Sequence, residues 1–250
     1  MRTREPENLL LAALPDAERE RLDPFLHPVQ MEAGQPITDP DEPIQNLFFP
    51  YDAVTSTVQE MSDGSTIETG LMGIEGLAGV QVWLGQRSTA ATTFVQVPGR
   101  AHRMSTDDFI REVRENPSSP LNKLVAAYLH AFLILTSMTA ACNRLHSIDQ
   151  RLCRWLRMTY NRARRTDFPL RHEFLAQMLG VHRPTLSTAA SMLQRAGLIN
   201  YRYGKLTILD PDGLTEGACE CYAMMEKQFD RIFQQPWREK RLREERSIEP

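Results

Sequence analysis

The chain has 250 residues, which is enough for two domains that each bury a core. Its formal net charge is only −3, but residues 1–120 carry 9 Lys and Arg against 19 Asp and Glu, whereas residues 144–205 carry 12 against 3. The basic half favours a polyanionic partner, because neutralising phosphates releases condensed counterions.

The cysteines bear on redox chemistry and on metals. Cys142, Cys153, Cys219 and Cys221 follow neither the spacing of a zinc site nor that of a disulfide framework, so no metal is expected. The N-terminus lacks the basic, apolar and small-residue regions of a signal peptide. We therefore expect a cytoplasmic protein that does not enter a membrane.

The first 119 residues are predicted to form one domain built mainly of short strands. Leucines in residues 8–25 account for one or two short helices, and residues 107–115 for another. Between them lie strand-like runs separated by Gly, Pro and Asp, at residues 29–31, 46–49, 54–60, 67–72, 80–84, 91–97 and 101–104. Regular short strands of this kind are typical of an antiparallel barrel or roll.

A long helix is predicted over residues 120–146, because two apolar stripes follow helical spacing there. The first stripe has the alternating steps of a coiled-coil seam and is predicted to be a dimer interface: Leu121, Val125, Tyr128, Phe132, Leu135, Thr139 and Cys142. The second stripe is predicted to pack against the chain's own strands: Leu124, Ala127, Ala131, Ile134, Met138, Ala141 and Leu145.

The same helix permits a different interpretation, a membrane span. Residues 124–142 carry no charge apart from a possible one on His130, and 19 residues are just enough to cross a bilayer. Polar side chains at His130, Thr136, Ser137 and Thr139 and the flanking domains argue against a span. The dimer helix is the favoured interpretation.

A capping box marks the next helix, because the Ser147 hydroxyl and the Gln150 side chain can satisfy free N–H groups at its start. This helix is predicted to end near Arg164 and to leave six arginines on the outside: Arg151, Arg154, Arg157, Arg162, Arg164 and Arg165. A last helix is predicted over residues 217–233, followed by a charged tail over residues 238–250. The predicted divisions are residues 1–119, 120–146, 147–216 and 217–250.

Residues 171–199 have the pattern of a helix-turn-helix. Phe174, Leu175, Met178 and Leu179 form the buried face of a first helix, which Gly180 ends. A second helix begins near Arg183 and turns four apolar residues inward: Leu186, Ala189, Ala190 and Leu193. Two strand-like runs joined around Gly204 then predict a hairpin, or wing, beside the helices.

From Ser147 to Asp210 the chain resembles the DNA-binding domain of the cyclic-AMP receptor protein and fumarate-nitrate regulator (Crp/Fnr) family of bacterial transcription factors. The resemblance implies an α+β fold with an N-terminal cupin-like β-roll of the cyclic-nucleotide-binding type, a long dimerisation helix and a C-terminal winged helix-turn-helix. It also implies a homodimer on a two-fold symmetric DNA site. RNA polymerase is a further partner that the resemblance leaves open.

By position, the resemblance implies which residues contact DNA. Arg183 matches the arginine of the recognition helix, Thr185 a phosphate contact, and Ser187 and Thr188 the reading positions. Pro184 stands where many members have a base-reading glutamate, so the operator sequence is not implied. The full predicted set is Arg183, Thr185, Ser187, Thr188, Ser191, Arg202 and Lys205.

The resemblance places effector binding in the β-roll, and three alternatives stay open: a cyclic nucleotide, another small effector, or no ligand. Arg87-Ser88 resembles the pair that holds a cyclic nucleotide's phosphate, but Leu77, which follows Gly76, cannot accept a hydrogen bond as the family's glutamate does. Glu75 is nearby but out of register. The predicted effector-binding residues are Arg87, Ser88, Gly76, Leu77 and Tyr128.

An enzyme of the cupin type is not expected. Such a metal site needs several histidines and a carboxylate, and the roll offers only His27 and His102, which are equally weak evidence for haem. The cysteine cluster of the family's iron–sulfur branch lies near the N-terminus, where this chain has no cysteine before Cys142. A cyclic-nucleotide module that acts only through protein contacts would not need the basic half.

Overall fold

The computed structural model describes residues 8–233. The charged tail predicted over residues 238–250 lies outside these residues. Mixed helices and antiparallel sheets, with a β-rich N-terminal part, a long helix and a C-terminal helix-turn-helix, confirm the predicted α+β fold class.

Two antiparallel sheets form the N-terminal part, and their inner faces share one core that includes Leu47, Phe49, Val54, Val95 and Met104. The strands are β1 (His27–Met31), β2 (Pro36–Thr38), β3 (Asn46–Pro50), β4 (Val54–Glu60), β5 (Thr66–Met72), β6 (Thr92–Val97) and β7 (Gly99–Ser105). One sheet has the order β1-β7-β3 and the other β2-β6-β4-β5. We call this unit, residues 26–105, the β-roll.

Two short helices, α1 (Leu9–Ala12) and α2 (Asp16–Leu22), precede the roll. The Asn8 amide joins α1 to the roll by donating to the carbonyl oxygens of Pro50 and Gly76, at 2.9 and 2.8 Å. After the roll, α3 (Thr106–Phe109) continues as one π-helical turn, Ile110–Arg114, close to the helix predicted there.

The strand predicted over residues 80–84 is wrong, because Val80–Val82 is a single 3-10 turn. Gly79 and Gly85 bound this segment with φ of 85° and 88°, which a continuous strand does not contain. Val80 and Val82 are nevertheless buried. The apolar residues of this segment thus indicate that it is buried, and a buried turn accounts for them as well as a buried strand would.

Helix α4 (Pro120–Leu145) has the predicted length, but its two stripes exchange roles. The first stripe faces the chain's own roll and the C-terminal helix Cys221–Phe233, with Leu121, Val125, Tyr128, Leu135, Thr139 and Cys142 buried and Phe132 half-buried. The prediction that Val125, Tyr128, Phe132, Leu135, Thr139 and Cys142 form a dimer interface is therefore corrected, since their surface is covered within one chain. Both stripes have the same spacing, so spacing alone could not separate them.

Two glycines of the roll, Gly70 and Gly76, leave the space that the bulky aromatic residues of the first stripe need, which explains why this stripe turns inward. A Cβ at Gly70 would lie 2.6 Å from Phe132 Cζ, and a Cβ at Gly76 would lie 2.6 Å from the Tyr128 hydroxyl oxygen. The two aromatic rings need this space, and the rings also stack on each other with centroids 6.0 Å apart. The second stripe is left largely outside, with Ala127, Ala141 and Leu145 exposed.

By length and composition α4 is the one helix among residues 8–233 that could cross a membrane, and 33% of its most apolar window is buried in the chain. Its inward face, formed by the first stripe, packs against the roll and against the helix Cys221–Phe233. The high apolar content of α4 thus comes from two apolar faces, of which one is covered and one is not.

The C-terminal part begins with α5 (Ile148–Ala163), whose predicted capping box between Ser147 and Gln150 is present. The following elements are β8 (Asp167–Phe168), α6 (His172–Met178), α7 (Arg183–Arg195), β9 (Ile199–Arg202), β10 (Lys205–Ile208), α8 (Pro211–Gly217) and α9 (Cys221–Phe233). The last helix therefore starts at Cys221 rather than Gly217, because α8 ends there.

Three of the arginines expected on the outer face of α5 are buried, namely Arg151, Arg154 and Arg162. Arg162 Nε lies 2.7 Å from Glu75 Oε1 of the roll, and Arg162 Nη1 lies 3.6 Å from Glu226 Oε1 of α9. A second link joins the same elements, since Trp155 Nε1 donates to Glu68 Oε1 at 3.0 Å. A buried polar network therefore fixes α5 against the roll.

Glu68 makes the stability of this junction depend on pH. Burial raises the pKa of Glu68 to about 7, although hydrogen bonds from Ser56 and Trp155 and the charges of Arg154 and Arg162 oppose the shift. The protonated carboxyl thus favours the folded state. This stabilisation is fully present below pH ~4.5, is lost as pH rises through ~7, and stays absent above that value.

We expect Glu68→Gln, which resembles the protonated form, to match the wild type in unfolding free energy near pH ~4 and to exceed it near pH ~8, by at most about 3 kcal/mol. Urea unfolding at both pH values measures the difference. Glu60→Gln, at an exposed carboxylate on β4, is the matched control and should show no such change. An equal effect of Glu68→Gln at both pH values would contradict this assignment.

Candidate nucleic-acid interface

Helices α6 and α7 pack together as the sequence predicts, around Leu175, Met178, Leu186 and Leu193, all buried. The turn between them depends on Gly180, whose φ is 59°. A Cβ at this position would also lie 2.7 Å from Ile67 Cδ1 of the roll. Glycine is therefore needed both for the left-handed backbone and for the close approach of the turn to β5.

The outer face of α7 is polar and accessible. Arg183, Pro184, Thr185, Thr188 and Ser191 are exposed, as a surface that enters a DNA groove requires. The Thr188 hydroxyl donates to the Pro184 carbonyl oxygen at 3.1 Å, and the Ser191 hydroxyl donates to the Ser187 carbonyl oxygen at 2.8 Å. Both hydroxyl oxygens keep lone pairs that can accept hydrogen bonds from base edges.

Ser187 differs from the other predicted DNA contacts because it is partly buried, whereas they are exposed. Its hydroxyl oxygen lies 3.1 Å from His172 Nδ1 of α6. The His172 ring stacks on Tyr201 of β9 at 4.1 Å, and burial lowers the pKa of His172. This chain of contacts braces the recognition helix against α6 and the wing, so Ser187 supports the helix as well as lying near its reading face.

Two predicted cations form ion pairs at the surface. Arg183 Nε lies 3.0 Å from Glu173 Oε1, and Lys205 Nζ lies 3.0 Å from Asp167 Oδ2. The side chains of Arg183 and Lys205 are 65% and 61% exposed. Exposed pairs of this kind contribute only about 0–1 kcal/mol, so both cations can exchange a carboxylate for a phosphate or a base at little cost.

The wing is a two-residue hairpin between β9 and β10, with Arg202 and Lys205 paired across the turn. Tyr203 and Gly204 have φ of 51° and 73°, as a type I′ turn requires. Tyr203 is 94% exposed at the tip, and the Arg202 guanidinium lies 5.3 Å from its ring centroid. Tyr203 was not among the DNA contacts predicted from the sequence. Its position before Gly204 and between Arg202 and Lys205 could have indicated an exposed aromatic residue at the tip of the wing.

The recognition helix begins next to the roll. A cleft of about 600 Å³ lies between the roll and the helix-turn-helix. The β4–β5 hairpin, which includes Met61, lines one side, and α6 and the start of α7, which includes Arg183, line the other. Phe94 of β6 meets Phe174 of α6 edge-on, with centroids 6.0 Å apart. The orientation of α7 is thus tied to the conformation of the roll.

The predicted effector residues lie in two different environments. Arg87 is 60% exposed and pairs with Asp107 at 2.8 Å, and Ser88 is exposed as well. Gly76, Leu77 and Tyr128 are buried where α4 meets the roll. Arg87 is therefore not held inside an enclosed phosphate site, and Glu75, the out-of-register carboxylate, is paired with Arg162.

Comparison with known proteins supports the helix-turn-helix directly. The model of the Crp-like helix-turn-helix domain family matches residues 150–216, which span α5 to α8. No curated protein matches the chain.

Solved structures with the same fold include several bacterial proteins. FixK2 from Bradyrhizobium japonicum has a TM-score of 0.63 at 12% identity, covering 78% of this chain and 98% of its own. A CRP-family transcriptional regulator from Thermus thermophilus has a TM-score of 0.62 at 16% identity, covering 76% and 96%. The c-di-GMP responsive global regulator CLP from Xanthomonas campestris has a TM-score of 0.60 at 15% identity, covering 78% and 99%.

These solved structures share the fold of this chain, and the domain match covers its helix-turn-helix and wing. The expectation that the chain is not an enzyme agrees with this class of protein. Residues 150–216 thus match the Crp-like helix-turn-helix domain, and the chain has the fold of solved transcriptional regulators of the Crp/Fnr family.

Proposed function

We propose that the protein is a cytoplasmic, homodimeric transcription regulator that reads a two-fold symmetric DNA site with α7 and grips the flanking backbone with the wing. The exposed polar face of α7, with Arg183 at its start, carries this proposal. Arg183 and Thr188 would read base edges, while Thr185, Arg202 and Lys205 would contact phosphates. Phosphate contacts set the position of the helix, and base contacts set the sequence.

The second stripe of α4 supports the dimer. Leu124, Ile134 and Met138 are partly accessible and Leu145 is 74% exposed, in steps of three and four residues along one side of the helix. An apolar seam on a helix that already packs against its own roll is stabilised by a partner helix of the same kind. Small residues at Ala127 and Ala141 would let two such helices approach closely.

The roll acts as the sensor in this proposal. Its contacts with α5 and α6, through Glu68, Glu75 and Phe94, would carry a change in the roll to the recognition helix. An effector can drive such a change only if it binds the two arrangements with different affinity. The exposed Arg87 and the already paired Glu75 disfavour a cyclic nucleotide, so the effector would be another small molecule; a regulator without a ligand is the second candidate.

Arg183→Ala and Lys205→Ala should have different consequences for DNA binding. Loss of Arg183 should reduce discrimination at one base position by about 1–3 kcal/mol, since a base contact is removed. Loss of Lys205 should weaken binding to all sequences alike and make the salt dependence shallower by about one phosphate contact. Affinities measured on a set of single-base variants of a selected duplex, at several salt concentrations, distinguish the two effects. An unchanged base preference in Arg183→Ala would refute its reading role.

Ile134→Glu should convert the dimer to a monomer, because it places a carboxylate in the proposed seam at high desolvation cost. Leu133→Glu is the matched control: the neighbouring side chain is 57% exposed and points about 100° away around the helix. Light scattering of both variants measures the mass in solution. A dimeric Ile134→Glu variant would show that the second stripe is not the interface.

Cyclic AMP and cyclic GMP should give no saturable binding in calorimetry with the full-length protein. The phosphate would lack an enclosed arginine, and the ribose hydroxyl would lack an acceptor at Leu77. Arg87→Ala serves as the check on the site. Saturable binding that disappears in Arg87→Ala would instead establish the cyclic-nucleotide pocket.

A further inference from the structure

Three cysteines and a histidine from distant parts of the chain meet at the end of α4. Cys142 lies in the last turn of that helix, and His146 is its C-terminal capping residue, so the two side chains share a helix face. Cys221 begins α9, and Cys219 lies two residues before it in the connection from α8. One ligand atom from each residue can be chosen so that all four lie within 4.8 Å of one another.

We propose that Cys142, His146, Cys219 and Cys221 bind a single Zn²⁺ ion. This site goes beyond the DNA-binding function and does not depend on it. No metal was expected from the sequence, because the two ligand pairs are separated by more than 70 residues and neither pair has a common zinc spacing. The fold brings them together.

The distances suit a mononuclear tetrahedral ion. Cys142 Sγ lies 3.5 Å from Cys219 Sγ, and Cys221 Sγ lies 3.6 Å from His146 Nδ1. A tetrahedral zinc ion with three thiolates and one imidazole places its ligand atoms about 3.6–3.8 Å apart. A cluster of several iron ions would spread its thiolates over different metal atoms and hold them further apart.

The surroundings of the four residues also match a metal site. His146 Nε2 lies 3.2 Å from Glu220 Oε1, which leaves Nδ1 facing the sulfurs. A carboxylate on the distal nitrogen is the usual way to orient a zinc-bound histidine. The three cysteines are buried, whereas the His146 side chain is 16% exposed, so an ion can enter from that side.

Charge balance points the same way. Three thiolates around a divalent ion leave one net negative charge. Arg151 and Arg154 are both buried and lie near enough to the Cys142 sulfur to interact with it electrostatically. The Nε atom of each has no hydrogen-bond partner among residues 8–233. A negatively charged metal site would compensate these two buried guanidinium groups.

The position of the site gives the ion a structural consequence. It would join the end of the long helix to the start of α9 and so close a loop that contains α5, the helix-turn-helix and the wing. The metal site would hold the start of the DNA-binding domain against the end of α4. Binding should raise the thermal stability of the full-length protein, because the unfolded chain has no preformed site.

The test uses full-length protein, stripped of metal under reducing conditions and titrated with Co²⁺. We expect one Co²⁺ per chain, with visible ligand-field bands of a tetrahedral site, a thiolate charge-transfer band, and displacement of Co²⁺ by Zn²⁺. Cys142→Ser and Cys219→Ser should lose these bands. Cys153→Ser, at a buried cysteine outside the cluster, is the matched control and should keep them.

Glu220→Gln covers the case in which a cysteine variant does not fold, because Glu220 is 70% exposed. It should fold normally and bind Co²⁺ about 10-fold more weakly. Three results would overturn the proposal: no stoichiometric tetrahedral Co²⁺ spectrum in the wild type, acid-labile sulfide in anaerobically purified protein, or a Cys142–Cys219 disulfide in protein kept under reducing conditions.

Discussion

The buried ion pair between Arg162 and Glu75 is the contact on which the arrangement of the molecule depends. Both side chains are fully buried, and the Arg162 guanidinium also lies 5.4 Å from the Phe229 ring centroid of α9. Removing one member of such a pair leaves an uncompensated buried charge and costs about 3–5 kcal/mol. Because α5 leads directly into the helix-turn-helix, the pair sets where the recognition helix stands relative to the roll.

Several features were predictable because local chemistry determines them. The caps at Ser147, the prolines around residue 120 and the regular apolar spacing of α7 place helix boundaries without reference to the rest of the chain. The wing was predictable because two short strand-like runs flank the turn residue Gly204. The pattern Arg183 to Leu193 also predicts which face of α7 is left outside, since only one side of that helix is apolar.

Other features depend on contacts that spacing does not contain. The two stripes of α4 are alike in period, and only the space at Gly70 and Gly76 decides which one turns inward. The arginines of α5 were expected outside because charged residues rarely lie buried without a partner. For Arg162 the partners, Glu75 and Glu226, come from segments far away in the sequence, as do the members of the cysteine cluster.

These contacts connect the three parts of the proposed regulator. The roll binds α5 through Glu75 and Glu68, and the uncovered stripe of α4 is the proposed contact with a second copy. The cysteine cluster lies where α4 ends and the DNA-binding domain begins. The predicted domain divisions therefore separate units that pack closely on one another. A change in the roll would reach α7 through packed side chains rather than through a loose linker.

Selection from random duplexes with the full-length protein tests the central proposal most directly. The proposed dimer predicts enrichment of a two-fold symmetric sequence, with half-sites about 10 base pairs apart from centre to centre and two copies of the chain on each duplex. Enrichment of no sequence over random DNA, or binding of a single copy to an asymmetric site, would contradict it.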